Sequence, residues 1–386
     1  MIASRKVTLS VTALSLSLLA ASPRPALALP TMIRLGYAEC SVCHISPQGG
    51  GPLNVYGRGI DRAQSLRGGE YAPATDNLTR VLTLGGRTTQ EFRTIIQEQA
   101  SLAAGGSVRT RLWPRLAYRN ATEIGKGFRA AATVTVESAT AARPSLSYAP
   151  SSEAPSVFVN TALLHYRPIK SLELAAGRDQ LPSGVNVPDL GLWTRSRNRL
   201  GYDDVPSQVK MFWNSRLAHV TPFIYAPGGN ESSGDREKGA GTLAEVVFGQ
   251  EHAVAGMSFV NGTAPLGDRQ MVGGYVRLGI GNWGILVEHD LTDRTRVSPA
   301  PVSFGQSASY CQLFWAYDEW LVFSATAERL HVEPPFEERL LAGKLEVAAR
   351  LASQATLGVS ARLQRDQIGG RLSVSVMLQA ALKTVQ

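Results

Sequence analysis

An all-β fold, a transmembrane antiparallel β-barrel of about sixteen strands behind a short N-terminal plug segment, is what this sequence predicts. Three observations carry it. From about Asn77 onward the apolar residues recur with period two, as in Leu341, Gly343, Leu345, Val347 and Ala349 against Ala342, Lys344, Glu346, Ala348 and Arg350. The alternating segments run to about ten residues, the length a tilted strand needs to cross a bilayer, where soluble strands average about five or six. Past the first thirty or so residues no apolar run of about twenty occurs, so helical spanning is excluded.

Residues 1–28 read as an export signal. Arg5 and Lys6 give a positive start, Val7 to Ala21 an apolar stretch, and Ala26-Leu27-Ala28 a small-residue cleavage site. The apolar run is short for a membrane anchor, and Pro23 and Pro25 follow it. Cleavage after Ala28 removes Arg5, Lys6 and Arg24 and no acid, which lowers the formal charge from +8 to +5. So mild a surplus, with no basic run interleaved with aromatics, predicts no nucleic-acid partner.

Residues 29–77 form the second unit. Cys40-Ser41-Val42-Cys43-His44 has the spacing of covalent c-type haem attachment: two thiols for the two vinyl groups, and a histidine beside them as axial ligand. A redox dithiol or half of a zinc site are the rival readings. Zinc would want a second ligand pair, whereas the remaining cysteine, Cys311, stands far away; a dithiol would open a helix, whereas Ser46 to Pro52 is loop chemistry. One covalent haem c is therefore expected, held by Cys40, Cys43 and His44. Met32 is the nearest candidate for the sixth ligand, with Met377, His165, His219, His252, His289 and His331 as further ones, and a water-ligated iron is the remaining option. A segment this short cannot bury a haem alone, so the rest of the chain is expected to shelter it.

Residues 78–386 make the barrel. Strand centres are expected near Leu84, Leu112, Val134, Leu163, Leu174, Lys210, Phe223, Val246, Met257, Tyr275, Leu286, Gln312, Phe323, Leu345, Val359 and Val376. Tight turns such as Gln367–Gly370 are expected to alternate with longer loops such as Pro227–Ala240 and Asp293–Ser307. Tyr202, Trp283, Trp315, Tyr317 and Trp320 fall near strand ends, where an interfacial girdle would put them. Gly279-Ile280-Gly281 reads as a hairpin turn, not a nucleotide loop. Cys311 shares a face with Leu313 and Trp315 and is expected to face lipid. The acidic pairs Asp203-Asp204 and Glu337-Glu338 read as solvated loop residues. The chain ends Ala381 to Gln386 without the terminal aromatic common in outer-membrane barrels.

With these features the chain resembles the fused outer-membrane cytochrome-porins, a one-haem segment ahead of a barrel, which include ferrous iron oxidases of iron-oxidising bacteria. The specific part is Cys40, Cys43 and His44 continued by Ser46-Pro47, Gly49-Gly50-Gly51 and Tyr56-Gly57-Arg58, together with Gly177-Arg178-Asp179-Gln180-Leu181-Pro182-Ser183-Gly184. The resemblance implies an outer-membrane protein that carries electrons between an extracellular donor or acceptor, Fe(II) being one, and a periplasmic cytochrome or other carrier. A passive solute porin with a haem-bearing plug is the alternative, and haem chemistry on peroxide or nitrogen oxides a third reading.

Overall fold

The computed structural model describes residues 30–35, 37, 43–44, 53, 56–57, 60, 87–103, 106, 108–137, 156–186, 192–201, 204–229, 233–248, 252–297, 301–352, 355–367 and 369–385. The export signal and Cys40 lie outside them, as do Tyr202 and Asp203. Sixteen antiparallel strands form one closed barrel in which each strand pairs with its neighbours in sequence and the last closes on the first. The first five are β1 (Arg87–Ala103), β2 (Val108–Gly125), β3 (Phe128–Glu137), β4 (Ser156–Ile169) and β5 (Leu172–Arg178). Then come β6 (Ser207–Asn214), β7 (Ala218–Ala226), β8 (Lys238–Phe248), β9 (Ala253–Ala264), β10 (Gly267–Ile280) and β11 (Trp283–Arg296). The wall is completed by β12 (Val302–Asp318), β13 (Leu321–Val332), β14 (Glu338–Ala352), β15 (Ala355–Arg365) and β16 (Gly370–Val385). The seam runs from Thr89 opposite Val385 to Ala103 opposite Arg371, so the closing strand pairs in full without a terminal aromatic.

Period two decides which way each side chain points. In β9, Val254, Ser258 and Val260 point inward and are buried, while Met257 and Phe259 point outward and are exposed. The same outward exposure holds for Leu112, Leu164, Val209, Ile224, Val276 and Leu345 around the wall. An apolar belt on this scale belongs to a barrel that sits in a bilayer, because water would not tolerate it.

The structure alters the sequence reading in four places. Leu84 lies outside the described residues, and the first strand is Arg87–Ala103, with Ile95 inside and Glu98 outside blurring its alternation. Gln367–Gly370 joins β15 to β16 at the same end of the barrel as the Pro227–Ala240 loop, since tight turns at the opposite end join β10 to β11 and β12 to β13. Much of Asp293–Ser307 is strand, because β11 runs to Arg296 and β12 begins at Val302. Trp320, expected in the girdle, is buried in the turn before β13, whereas Trp283, Trp315 and Tyr317 do face outward, Trp283 stacked on Trp315 and Tyr317 edge-on to it. The fifteen other strand centres fall within β2 to β16. Cys311 is exposed on the outward face, as its neighbours Leu313 and Trp315 required.

Candidate functional site

Cys43 is buried in a turn, and His44 next to it bridges to Leu53 as an antiparallel pair, so the chain folds back on itself after the motif. Gly57 then closes on the motif from the other side. A Cβ there would stand 2.0 Å from the Cys43 carbonyl oxygen, which explains why a residue without a side chain follows Tyr56. The Tyr56 and Tyr37 hydroxyls are hydrogen-bonded at 2.6 Å. That bond first, then partial burial and the nearby Cys43, push the Tyr37 hydroxyl up to about 12.

A 3-10 helix, Pro30–Leu35, precedes this turn and lies inside the tight-turn end of the barrel against β10 and β11. Ile33 joins a buried cluster with Tyr275, Leu286, Tyr310 and Phe314 from the wall. Gly279 permits the approach: a Cβ there would lie 2.3 Å from Arg34 Cα. Burial pulls the Arg34 guanidinium below its usual range, and the Glu319 carboxylate in the turn before β13 counters it. The 3-10 helix is thus sheltered by the barrel wall.

A second obstruction comes from the long connection between β5 and β6, which enters the lumen instead of leaving it. The segment Gly177 to Gly184, singled out in the sequence, is its point of entry. Gly177, at φ +132°, brings the backbone against the Ala162 carbonyl, and Asp179 accepts a hydrogen bond from buried Lys210 at 2.7 Å. Gln208 donates to the Asp179 and Gln180 carbonyls at 2.6 and 3.0 Å. Farther in, helix α1 (Trp193–Ser196) packs against β11, β12 and β13.

Buried polar groups of the wall hold this loop. The Val185 amide donates to Glu288 Oε2 at 3.0 Å, and Trp193 N to Glu328 Oε2 at 3.1 Å. Asn198 donates to Asp290 Oδ2 at 2.8 Å and accepts from Gln306 and Thr292 at 2.7 and 3.0 Å. Arg197 reaches Glu338 at 2.8 Å, so one member of the acidic pair expected to be solvated is a loop anchor, while Glu337 pairs with Arg339 at 2.9 Å. Sequence reasoning missed Asn198, Glu288, Glu328 and Asp290. The available signal was a set of charged residues at inward positions of β11 and β13, where a plain pore lining and an anchor look alike.

Among the described residues, these two insertions fill one side of the lumen. Inward residues of β10 and β11, such as Met271, Leu286 and Asp290, are wholly buried, whereas Arg93, Arg115 and Arg119 on β1 and β2 keep about a fifth of their surface exposed. The less filled side carries those arginines with Arg129, Lys344 and Arg362, each paired with a carboxylate from the set Glu91, Glu137, Glu173, Glu328 and Glu346.

The donor set suits a covalently held haem: a buried thiol followed directly by an imidazole in a braced turn, with Cys40 completing the pair by sequence. The histidines sort by position. His289 and His331 face outward, and His219 faces inward but is bonded to Glu245 at 3.1 Å. His165 is wholly buried, its Nδ1 held by Glu173 at 2.7 Å and its Nε2 without a hydrogen-bond partner among the described residues. His252 lies at the tight-turn end, where its carbonyl accepts from the Gly279 amide beside Arg34. Met32 is partly buried in the 3-10 helix, and Met377 faces inward beside Gly358.

No family model and no curated protein matches this chain. Among solved structures it is similar to a loop-deletion mutant of OmpT, an outer membrane protein of Vibrio cholerae, at TM-score 0.58 and 12% identity over 76% of this chain and 99% of that one. It is similar to the outer membrane channel DcaP of Acinetobacter baumannii at TM-score 0.58 and 10% identity, covering 78% and 99%. An anion-selective porin from Comamonas acidovorans gives TM-score 0.56 and 12% identity, covering 76% and 100%. At such identities the likeness is one of fold, and the fold of this chain is the closed sixteen-stranded antiparallel barrel of the outer-membrane porins.

Proposed function

We propose that this chain is an outer-membrane barrel that holds one covalent c-type haem at the tight-turn end of its lumen and carries electrons between an extracellular donor, Fe(II) among the candidates, and a periplasmic carrier. The observation behind the reading is the seating of Ile33 and Arg34 against Gly279 inside the wall, shortly before Cys43 and His44. The outer membrane insulates, and a one-electron centre within the barrel offers a way through it. Haem bound here supplies one-electron chemistry at its iron. The chain's own residues would hold it: Cys40 and Cys43 through thioethers and His44 on the iron, with Met32 or His252 from the tight-turn end as candidates for a second iron ligand. Glu173 fixes the ring of His165, which leaves its Nε2 as a third candidate.

A pyridine haemochrome assay on membrane-extracted protein tests the reading. Wild type is expected to give a c-type band that Cys43→Ser loses, and Fe(II) added to intact cells is expected to reduce it. A wild-type protein without a Soret band would end this reading.

A second reading, a passive solute pore with the N-terminal segment as plug, is favoured by the half-open lumen and by the likeness to channels and porins. Liposomes decide between the two. Solute leak without any redox partner supports the pore; a reduced haem that re-oxidises only on meeting a periplasmic carrier supports electron transfer.

A further inference from the structure

The outward face of the barrel is not chemically uniform. On β3 to β7 the outward positions among those described are uncharged but for Arg178, set opposite Ala162 and Ser207 at the loop end of β5; Val134, Val157, Leu164, Val209 and Ile224 illustrate the rest. On β11 to β15, toward the long-loop end, basic residues gather instead, with Asp293 of β11 an acid among them. Strand register lines them up, because residues directly opposite across a pair share a face. His289 stands opposite Ser309, Ser309 opposite Arg329, Arg329 opposite Leu341, and Leu341 opposite Arg365. Nearer the loops, His331 stands opposite Arg339. With strands about 4.8 Å apart, the first row spans roughly 19 Å of the barrel's circumference.

Arg329 and Arg365 are exposed, and among the described residues neither has a carboxylate partner; Arg339 shares its charge with Glu337 at 2.9 Å. On the tight-turn side of the row the outward positions turn apolar at once, with Leu345, Val347, Leu363 and Leu313. An outward arginine is tolerated only where the hydrocarbon ends, so the row marks the level of the headgroups.

We propose that this patch binds the phosphate of an anionic lipid headgroup in the leaflet at the loop end, Arg329 and Arg365 closing on it from either side of Leu341. The guanidinium fork matches phosphate oxygens, and the apolar residues beneath accept the acyl chains. The proposal rests on the reading that the barrel spans a bilayer, but it needs no haem.

Native mass spectrometry of the detergent-purified full chain, titrated with lipid A, tests it. Wild type is expected to retain lipid A, and Arg329→Gln with Arg365→Gln to bind it at least about tenfold more weakly. Lys238→Gln, outward on β8, is expected to bind like wild type. Equal retention by the double variant, equal binding of dephosphorylated lipid A, or displacement by equimolar inorganic phosphate would each overturn the proposal. Insertion into neutral phosphatidylcholine vesicles, read by heat-modifiable gel migration, is expected for wild type and the double variant alike. A wild type that fails to insert would remove the bilayer reading and this proposal together, whereas insertion without lipid A retention would remove the proposal alone.

Discussion

At the scale of single residues, glycines decide where the N-terminal segment can sit. Gly279 occupies an ordinary strand position, and its lack of a side chain matters only because Arg34 lies against it. Gly279→Val is therefore compatible with β10 but not with the docked 3-10 helix. Loss of the buried Ile33 contact removes about 1.5–3 kcal/mol of docking. The variant is expected to keep an intact barrel by gel migration while proteases cut ahead of Cys43 and single-channel conductance rises. Unchanged conductance and unchanged proteolysis would show that the seating is not what holds the segment. This contact was invisible in the sequence, where Gly279-Ile280-Gly281 announced a hairpin and nothing more; the hairpin is there, with Gly281 at φ +57°.

At the scale of elements, the interior loop is tied to the wall at the loop end by a buried ion-pair group. Glu237 precedes β8 and meets Arg269 at 2.8 Å, Arg199 of the loop at 3.5 Å, and the Tyr225 hydroxyl. Burial acts to raise the Glu237 carboxyl, but Arg269 and Arg199 outweigh it and hold it below the usual carboxylate range. A folded value below the unfolded one means that the pair stabilises fully above about pH 4.3 and is lost as pH falls through the lower folded value. Glu237→Gln leaves Arg269 buried without its counter-charge and is expected to cost about 3–5 kcal/mol. Thermal unfolding in detergent checks this: wild type should lose stability on acidification that the variant has already lost at neutral pH. The elements themselves were largely legible. Strong alternation located β2 to β16, whereas β1, with Glu91, Arg93, Gln97 and Gln99 inside and Glu98 outside, offered little contrast between its faces. The inward course of the β5–β6 connection could not be read, because a polar loop has the same composition whether it folds over the rim or into the lumen.

At the scale of the whole molecule, the two insertions leave an asymmetric passage. Among the described residues its less filled side presents six cations, Arg93, Arg115, Arg119, Arg129, Lys344 and Arg362, paired with five carboxylates, Glu91, Glu137, Glu173, Glu328 and Glu346, a surplus of one positive charge. Low-dielectric walls around a surplus of one sign concentrate counter-ions. Reconstituted protein in a potassium chloride gradient is expected to give a reversal potential of the sign for chloride, and Arg93→Gln with Arg119→Gln to move it toward zero. A cation-selective wild type would contradict that account.

The sequence by itself determined the barrel, its strand number and the face of nearly every strand, because a period of two leaves one side of a strand for lipid and the other for the interior. It also supplied the donor set Cys40, Cys43 and His44 on which the proposed haem rests, since covalent attachment would depend on spacing along the chain. Only the tertiary structure decided where Cys43 and His44 sit, which histidines face inward, and which side of the lumen the described insertions fill. Those outcomes depend on contacts between segments remote in sequence, such as Ile33 with Tyr310 or Asn198 with Asp290, and local periodicity carries no information about them.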